Sequence, residues 1–314
     1  NHRMFLLHGE AKYIDVLERI IYNGFLSGIS LSGDTFFYPN PLACDGRFRF
    51  NHGDLVRSPW FGCSCCPVNV VRFIPSIAGY VYAQRGDEVF VNLYVAGSGT
   101  VQQKAGKLRL EQQTRYPWDG KVRIVVQPEP AATVALKLRI PGWAQDATIR
   151  VAGQQQPSPA GTIAVVTRRW QPGDVVELDF PMPLKIEERF NKAVAVRRGP
   201  LYFALRIGQH FRECPWDNPG QGPRGLSAKP VREKSGLPVF DWEIDPSTPW
   251  NYGLVVDRQH PESSIQVTRH PIGTIPFAGQ GEPVIVKLPE SDEAGLAQTP
   301  FKAEVGLVLP HPAE

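Results

Sequence analysis

Val134-Ala135-Leu136-Lys137-Leu138-Arg139-Ile140 places an apolar branched side chain at every second position. That period is a strand with one buried face, and a helix cannot use it. Working outward, it recurs in Val89-Phe90-Val91-Asn92-Leu93-Tyr94-Val95, Val122-Arg123-Ile124-Val125-Val126 and Val175-Val176-Glu177-Leu178-Asp179-Phe180. Turn signals such as Asp119-Gly120 and Pro172-Gly173-Asp174 separate these runs. Many short strands with frequent turns predict an antiparallel sandwich. A second strand-rich block begins near Lys185, with Ala193-Val194-Ala195-Val196 and Pro200-Leu201-Tyr202-Phe203-Ala204-Leu205. The Pro/Gly-rich stretch between Cys214 and Trp250 reads as a long surface loop.

Ahead of Tyr80 the period is helical. Leu6, Leu7, Tyr13, Val16, Leu17, Ile20, Ile21 and Leu26 recur at three- and four-residue steps, and Gly9 marks a break between two helices. Residues 31–61 read as loop and short strand, with a Gly33-Asp34 turn and the aromatic segment Phe36-Phe37-Tyr38-Pro39-Asn40-Pro41-Leu42. A further helix is expected from about Pro67 to Gly79. The run from Asn1 to Leu7 has neither a helix cap nor the pattern of a signal peptide and resembles the middle of an amphipathic helix. The expectation is a C-terminal piece of a longer protein, so the lack of a leader says nothing about secretion.

Bulk composition excludes several classes. The 314 residues suffice for two or three domains, and 34 basic against 31 acidic residues leave a charge of +3 without a basic patch for nucleic acid. The pairs Arg168-Arg169 and Arg197-Arg198 read as solvated strand ends. No apolar run approaches the roughly 18–20 residues of a membrane span. Five cysteines are too few for a disulfide scaffold in a chain this long.

Three of those five fall in Gly62-Cys63-Ser64-Cys65-Cys66-Pro67. Sulfur is both a soft metal ligand and a strong nucleophile. Thiols set just before a proline that opens a helix face the positive end of its dipole, which favours negative sulfur. A lone cysteine is usually core packing, but three in four residues resist that account. A Cys65–Cys66 disulfide is disfavoured by strain. The Cys63-x-x-Cys66 spacing also fits a redox or zinc-knuckle pattern, but no second Cys/His pair follows and no βαβ context surrounds it. Cys66, preceding Pro67, is expected to be extended.

The cysteine hexapeptide, followed by Asn69, Arg72 and Ser76, resembles the double-cysteine motif of the β-L-arabinofuranosidases of glycoside hydrolase family 127. Weaker matches run in the same order: Tyr13-x-Asp15-x-x-Glu18-Arg19-x-x-Tyr22-Asn23, Phe36-Phe37-Tyr38-x-Asn40-Pro41-Leu42, Leu138-Arg139-Ile140-Pro141-x-Trp143, Arg198-Gly199-Pro200-Leu201 and Trp250-Asn251-Tyr252. The resemblance implies a mixed, mainly β chain. Residues 1–79 would be the C-terminal remnant of an (α/α)6 catalytic barrel. An inserted antiparallel β-sandwich would span 82–185, and a second one 186–314.

It also implies a retaining glycosidase with a zinc-held cysteine nucleophile, removing pentofuranose-type sugars from plant-derived glycans. Carried across, Cys65 is nucleophile and zinc ligand, Cys66 a second ligand, and Tyr38 lines the sugar pocket; Cys63 is not a ligand and defaults to packing. Tyr38 reads equally well as a core aromatic beside Phe36 and Phe37. The family's remaining ligands, from a Glu-Thr-Cys segment, and its acid/base glutamate would precede Asn1. Glu10 and Glu18 do not replace them, since Glu18 belongs to a structural helix motif. Zn2+ is therefore expected in the intact protein and weak or absent in this piece, which alone is expected to be inactive. The expected partner is an oligosaccharide or glycoside, with no nucleic acid and no membrane; a homodimer through a β-sandwich stays open. Free thiols favour a reducing compartment such as the cytoplasm. The rival reading is a non-catalytic carbohydrate-binding or structural β-sandwich protein with a structural zinc site. For it Trp118, Trp143, Trp170, Trp216, Trp242 and Trp250 are available, although Trp143 and Trp170 read as core anchors.

Overall fold

The computed structural model describes residues 1–29, 33, 35–39, 48–53, 57–63, 65–190, 193–203, 209–214, 241–247, 252–254, 256–269, 271, 284–287 and 296–298. Asn40-Pro41-Leu42, Cys44, most of the Pro/Gly-rich stretch (215–240) and Trp250-Asn251 lie outside the described residues. The described residues are mainly β, with few helices.

The N-terminal periodicity becomes two helices. Helix α1 (His2–His8) stops at Gly9, whose φ of 73° lies in the left-handed region, where an ordinary residue is penalised by about 1–2 kcal/mol. Helix α2 (Ala11–Arg19) runs on into a π turn over Ile20–Phe25 and a 3-10 turn over Leu26–Gly28. Its Ala11, Ile14, Leu17 and Glu18 are buried.

Helix α3 (Cys65–Ser76) begins earlier than expected, at Cys65 and not at Pro67. Pro67 thus sits in the first turn, where its missing N–H breaks no helical hydrogen bond. The backbone of Cys66 is consequently helical and not extended; the bias against helix before proline is overridden where the first turn can accept the ring. None of the helix's twelve residues is buried, and Val68, Val71 and Ile74 are exposed. The short helix α4 (Ala78–Val81) follows.

Ten strands come next: β1 (Tyr82–Arg85), β2 (Glu88–Val91), β3 (Gly97–Gln103), β4 (Gly106–Thr114), β5 (Lys121–Glu129), β6 (Ala132–Arg139), β7 (Thr148–Val151), β8 (Gln154–Pro157), β9 (Ile163–Trp170) and β10 (Asp174–Asp179). They form a four-stranded sheet, β1-β2-β6-β9, and a six-stranded sheet, β3-β4-β5-β10-β7-β8. Alternation decides which side chains turn inward. Val122, Ile124 and Val126 of β5, Val134, Leu136 and Leu138 of β6, and Val176 and Leu178 of β10 join one buried cluster with Trp170. Truncating a fully buried leucine such as Leu136 to alanine costs about 2–5 kcal/mol. One pair departs from the expected antiparallel pattern: β2 and β6 run parallel, Val89 opposite Leu136. The reason is topological, since β3, β4 and β5 intervene in the chain and belong to the other sheet, so β6 re-enters in the direction of β2.

Beyond Phe180 come β11 (Leu184–Glu188), β12 (Val194–Arg198) and β13 (Leu201–Phe203), which make a three-stranded sheet. They are followed by β14 (Gln209–Cys214), β15 (Asp241–Pro246), β16 (Tyr252–Leu254), β17 (Gln266–Arg269), β18 (Val284–Lys287) and β19 (Leu296–Gln298). These pair antiparallel as β14 with β15, β16 with β19 and β17 with β18. Arg197-Arg198 on β12 is not a solvated strand end. Arg198 is buried and donates to the Trp118 carbonyl at 3.0 Å, while Arg197 donates to Glu187. Glu187 also accepts from Arg189 and, at 2.8 Å, from the Tyr202 hydroxyl. Burial alone would raise the Glu187 carboxyl; these donors outweigh it and hold its pKa below the ordinary value.

The chain divides into two compact units: Asn1–Tyr22, Phe73–Leu184 and Arg198–Leu201 in one; Asn23–Arg72, Lys185–Arg197 and Tyr202–Glu314 in the other. Inside the first, a buried polar network ties α2 to the end of β6. Arg139, with no exposed side-chain surface, donates to Glu18 Oε1 at 2.5 Å, to Asp15 Oδ1 at 2.6 Å and to the Asn92 carbonyl at 2.5 Å. The Tyr116 hydroxyl donates to the same Glu18 oxygen at 2.5 Å, and Trp143 Nε1 to the other at 3.2 Å. Burial and the adjacent Glu18 push the Tyr116 phenol far above its usual range, which keeps it a donor. The backbone N–H of Gly142 donates to Asp15 at 3.1 Å; a Cβ there would stand 2.8 Å from that carboxylate oxygen and would push the carboxylate aside. Glu18 is therefore a structural group, as its helix motif implies.

Candidate active site

The cysteine cluster is assembled within Asn23–Arg72. Phe36 bridges Ile29 on one side and Ser58 on the other, which fixes the backbone entering Tyr38. Asn51, 1% exposed, accepts from the Tyr38 N–H through Oδ1 at 2.7 Å and donates to the Phe36 carbonyl through Nδ2 at 3.5 Å. The Tyr38 ring is half-buried. His52 meets it edge-on with centroids 4.1 Å apart, and buried Phe61 does so at 5.2 Å. His52 itself has a φ of 54°, uncommon for a non-glycine residue and typical of tightly determined local structure.

This collar points the Tyr38 hydroxyl at sulfur. Its oxygen lies 2.6 Å from Cys65 Sγ and 3.7 Å from Cys63 Sγ. The hydrogen bond to Cys65, and then that to Cys63, raises the Tyr38 phenol pKa well above its ordinary value, so it stays protonated as a donor at neutral pH. Cys65 Sγ and Cys66 Sγ are 3.7 Å apart, not bonded, and the first turn of α3 is tied by Asn69 Nδ2, which donates to the Cys65 carbonyl at 2.8 Å. Cys63 and Cys65 are exposed and Cys66 is half-buried; all three are free thiols.

The sequence singled out Cys65, Cys66 and Tyr38, and the fold brings the three together. Asn51, His52 and Phe61 were not foreseen, because they reach Tyr38 across loops that carry no periodic spacing. Of the tryptophans considered for glycan binding, Trp170 is fully buried and donates to the Val134 carbonyl, and Trp143 is engaged with Glu18. Trp216, Trp250 and the side chain of Trp242 lie outside the described residues.

The sulfur pair can be tested against zinc. Two thiolates at about 2.3 Å from a tetrahedral ion stand roughly 3.8 Å apart, close to the 3.7 Å between Cys65 and Cys66. The pair fits two corners of such a site. Among the described residues, no group of three or more His, Cys, Asp and Glu side chains is arranged to hold a metal.

Family comparisons place two stretches of the chain. Residues 1–79 match the model of the β-L-arabinofuranosidase GH127 catalytic domain, and residues 88–182 that of the GH127 middle domain. The chain belongs to glycoside hydrolase family 127. It is 33% identical over 239 residues to a non-reducing end β-L-arabinofuranosidase of Bifidobacterium longum subsp. longum, an alignment covering 69% of this chain and 34% of that protein. Among solved structures it is similar to a GH127 β-arabinofuranosidase (39% identity, TM-score 0.59, 68% of this chain and 38% of the other). A GH127 β-L-arabinofuranosidase from Geobacillus stearothermophilus T6 is similar too (31% identity, TM-score 0.59, 78% and 44%). The chain thus spans about a third of the length of the curated relative.

Proposed function

We propose that this chain is the C-terminal portion of a retaining glycoside hydrolase that removes a β-L-arabinofuranose-type sugar from plant-derived glycans with Cys65 as nucleophile. The observation that carries the reading is the Tyr38 hydroxyl at 2.6 Å from an exposed Cys65 sulfur, with Cys66 sulfur 3.7 Å beyond. Names borne by the relatives support the substrate class.

Retention requires a nucleophile below the anomeric carbon and a proton donor above the leaving oxygen. Cys65 attacks the anomeric carbon as the glycosidic C–O bond breaks and the leaving oxygen takes a proton from the acid residue, forming a thioglycoside. Water then attacks the same carbon, gives a proton back to that residue, and the C–S bond breaks to release the thiolate. Tyr38 orients the sulfur and stabilises its negative charge through one hydrogen bond. Zinc, when bound through Cys65 and Cys66, keeps sulfur deprotonated at neutral pH. The acid/base glutamate and the remaining two ligands belong, on this reading, to protein outside residues 1–314. In this reading residues 1–79 are the tail of an (α/α)6 barrel, 82–185 an inserted β-sandwich and 186–314 a second one. The absence of any buried residue on α3 supports the first assignment, since an apolar helix of that kind is normally covered by neighbouring helices. The shared core of the ten strands supports the second.

The test is mass spectrometry of the full-length protein after treatment with a haloacetyl or epoxide arabinofuranose analogue. Modification of Cys65 alone is expected. Labelling of Cys66 instead would overturn the assignment.

A further inference from the structure

We propose that Cys63 is the resolving thiol of a reversible oxidative modification of Cys65. This deepens the reading above and rests on it for the role of Cys65. Cys63 has no part in the zinc pair or the sugar chemistry, yet it is exposed and shares one hydrogen-bonding oxygen with Cys65. Two sulfurs at 3.7 and 2.6 Å from the same Tyr38 hydroxyl are no farther apart than those distances laid end to end, so a disulfide between them requires the two side chains to turn toward each other about their own bonds.

The neighbours of Cys65 differ in what they can do for it. Cys66 sulfur is already in contact at 3.7 Å, but both residues lie in the first turn of α3, and adjacent helical residues cannot adopt disulfide geometry without unwinding that turn. Cys63 precedes the helix and is free of that restraint. A partner two residues away, outside the helix, closes a disulfide at lower strain.

The chemistry uses hydrogen peroxide as the oxidant. The Cys65 thiolate attacks one peroxide oxygen, the O–O bond breaks, and hydroxide leaves and is protonated to water. Sulfur is oxidised by two electrons to sulfenic acid, and peroxide is reduced. Cys63 sulfur then attacks Cys65 sulfur, the S–O bond breaks, and the departing hydroxide takes the Cys63 proton to form a second water. The product is a Cys63–Cys65 disulfide, which a dithiol reduces back to two thiols. Without Cys63, further peroxide carries Cys65 to sulfinic acid, which a dithiol does not reverse.

The experiment treats full-length protein with peroxide, alkylates the remaining thiols and sequences the peptide that ends at Arg72. Cys66 is expected to be alkylated, Cys63 and Cys65 to be joined with loss of two hydrogens, and dithiothreitol to restore both the thiols and the activity. In Cys63→Ser the same treatment leaves sulfinic acid at Cys65 and an activity that dithiothreitol does not recover. A Cys65–Cys66 disulfide, alkylation of Cys63 in the oxidised protein, or full recovery of Cys63→Ser each sinks the proposal. The mass readout does not depend on glycosidase activity. A missing disulfide in a protein still labelled at Cys65 by the sugar analogue refutes this inference alone, whereas a disulfide without sugar labelling refutes the glycosidase reading and leaves this one standing.

Discussion

Two polar clusters join distant stretches of this chain, and they are built on opposite terms. Around Arg139 every strong group is matched: the guanidinium reaches Glu18, Asp15 and a carbonyl, and Glu18 in turn collects Tyr116 and Trp143, with Arg139, Glu18 and Tyr116 buried and Asp15 and Trp143 partly so. Around Cys65 one phenol is shared between two sulfurs, and the sulfurs face solvent. A saturated, buried network has no valence left for a substrate, and breaking it strands a charge in the interior. An exposed, under-coordinated set of nucleophiles adds little to stability and is available for chemistry. A search for carboxylates alone would have led to Glu18, whose oxygens are taken up by Arg139, Tyr116 and Trp143 in a structural network.

That contrast can be broken in four experiments. The largest effect is expected from Cys65→Ser in the full-length protein, which abolishes turnover because a hydroxyl is a far poorer nucleophile at neutral pH; circular dichroism and melting should be little changed. Full activity in this variant would sink the assignment. Next is Arg139→Met, expected to lower stability by about 3–5 kcal/mol in urea unfolding, since Glu18 is left buried without its cation. Adding Glu18→Gln recovers some of that loss, and a loss under about 1 kcal/mol for Arg139→Met would show that the network is not the joint described.

Tyr38→Phe should slow turnover by roughly tenfold or less, since one hydrogen bond to the sulfur is lost, with folding unaffected. An unchanged kcat would remove Tyr38 from the chemistry. The smallest effect is expected at Glu187, an intermediate case, half-exposed but with three donors. Its folded pKa is lowered, so its contribution is present above its ordinary value of 4.5 and is lost as pH falls through the lowered folded value. Glu187→Gln should flatten that acid limb of the stability profile; an identical limb in both proteins would contradict the sign.

Much of the fold was legible because alternation was strong where burial was strong. The run at Val122 lies inside β5, those at Val134 and Val175 fill β6 and β10 and overrun their ends by one residue, and Gly9 does separate α1 from α2. Strands without an apolar face escaped. Gln154–Pro157 is exposed along its whole length, and Gly97–Gln103 has Val101 as its one apolar branched side chain, so their pairing comes from neighbours and not from pattern. In the site, Cys65 and Cys66 announced themselves by composition. The partner of Glu18 is Arg139, with no local sign at either residue of the other. The hydroxyl of Tyr38 could equally have been core until the Asn51 and His52 loop turned it toward sulfur.

The parallel pairing of β2 with β6 has a consequence for the order of events during synthesis. As the chain emerges, β1 and β2 can close their hairpin at once, but the other edge of β2 waits until β3, β4 and β5 have been made and have found their own sheet. Over that interval Val89, Phe90 and Val91 form an open hydrophobic edge, the kind of surface that recruits a second nascent chain. Charged Glu88 and Arg85 at the end of that hairpin are the chain's own guards. Their replacement by valine should show up first as lower soluble yield, well before any change in the melting point of the finished fold.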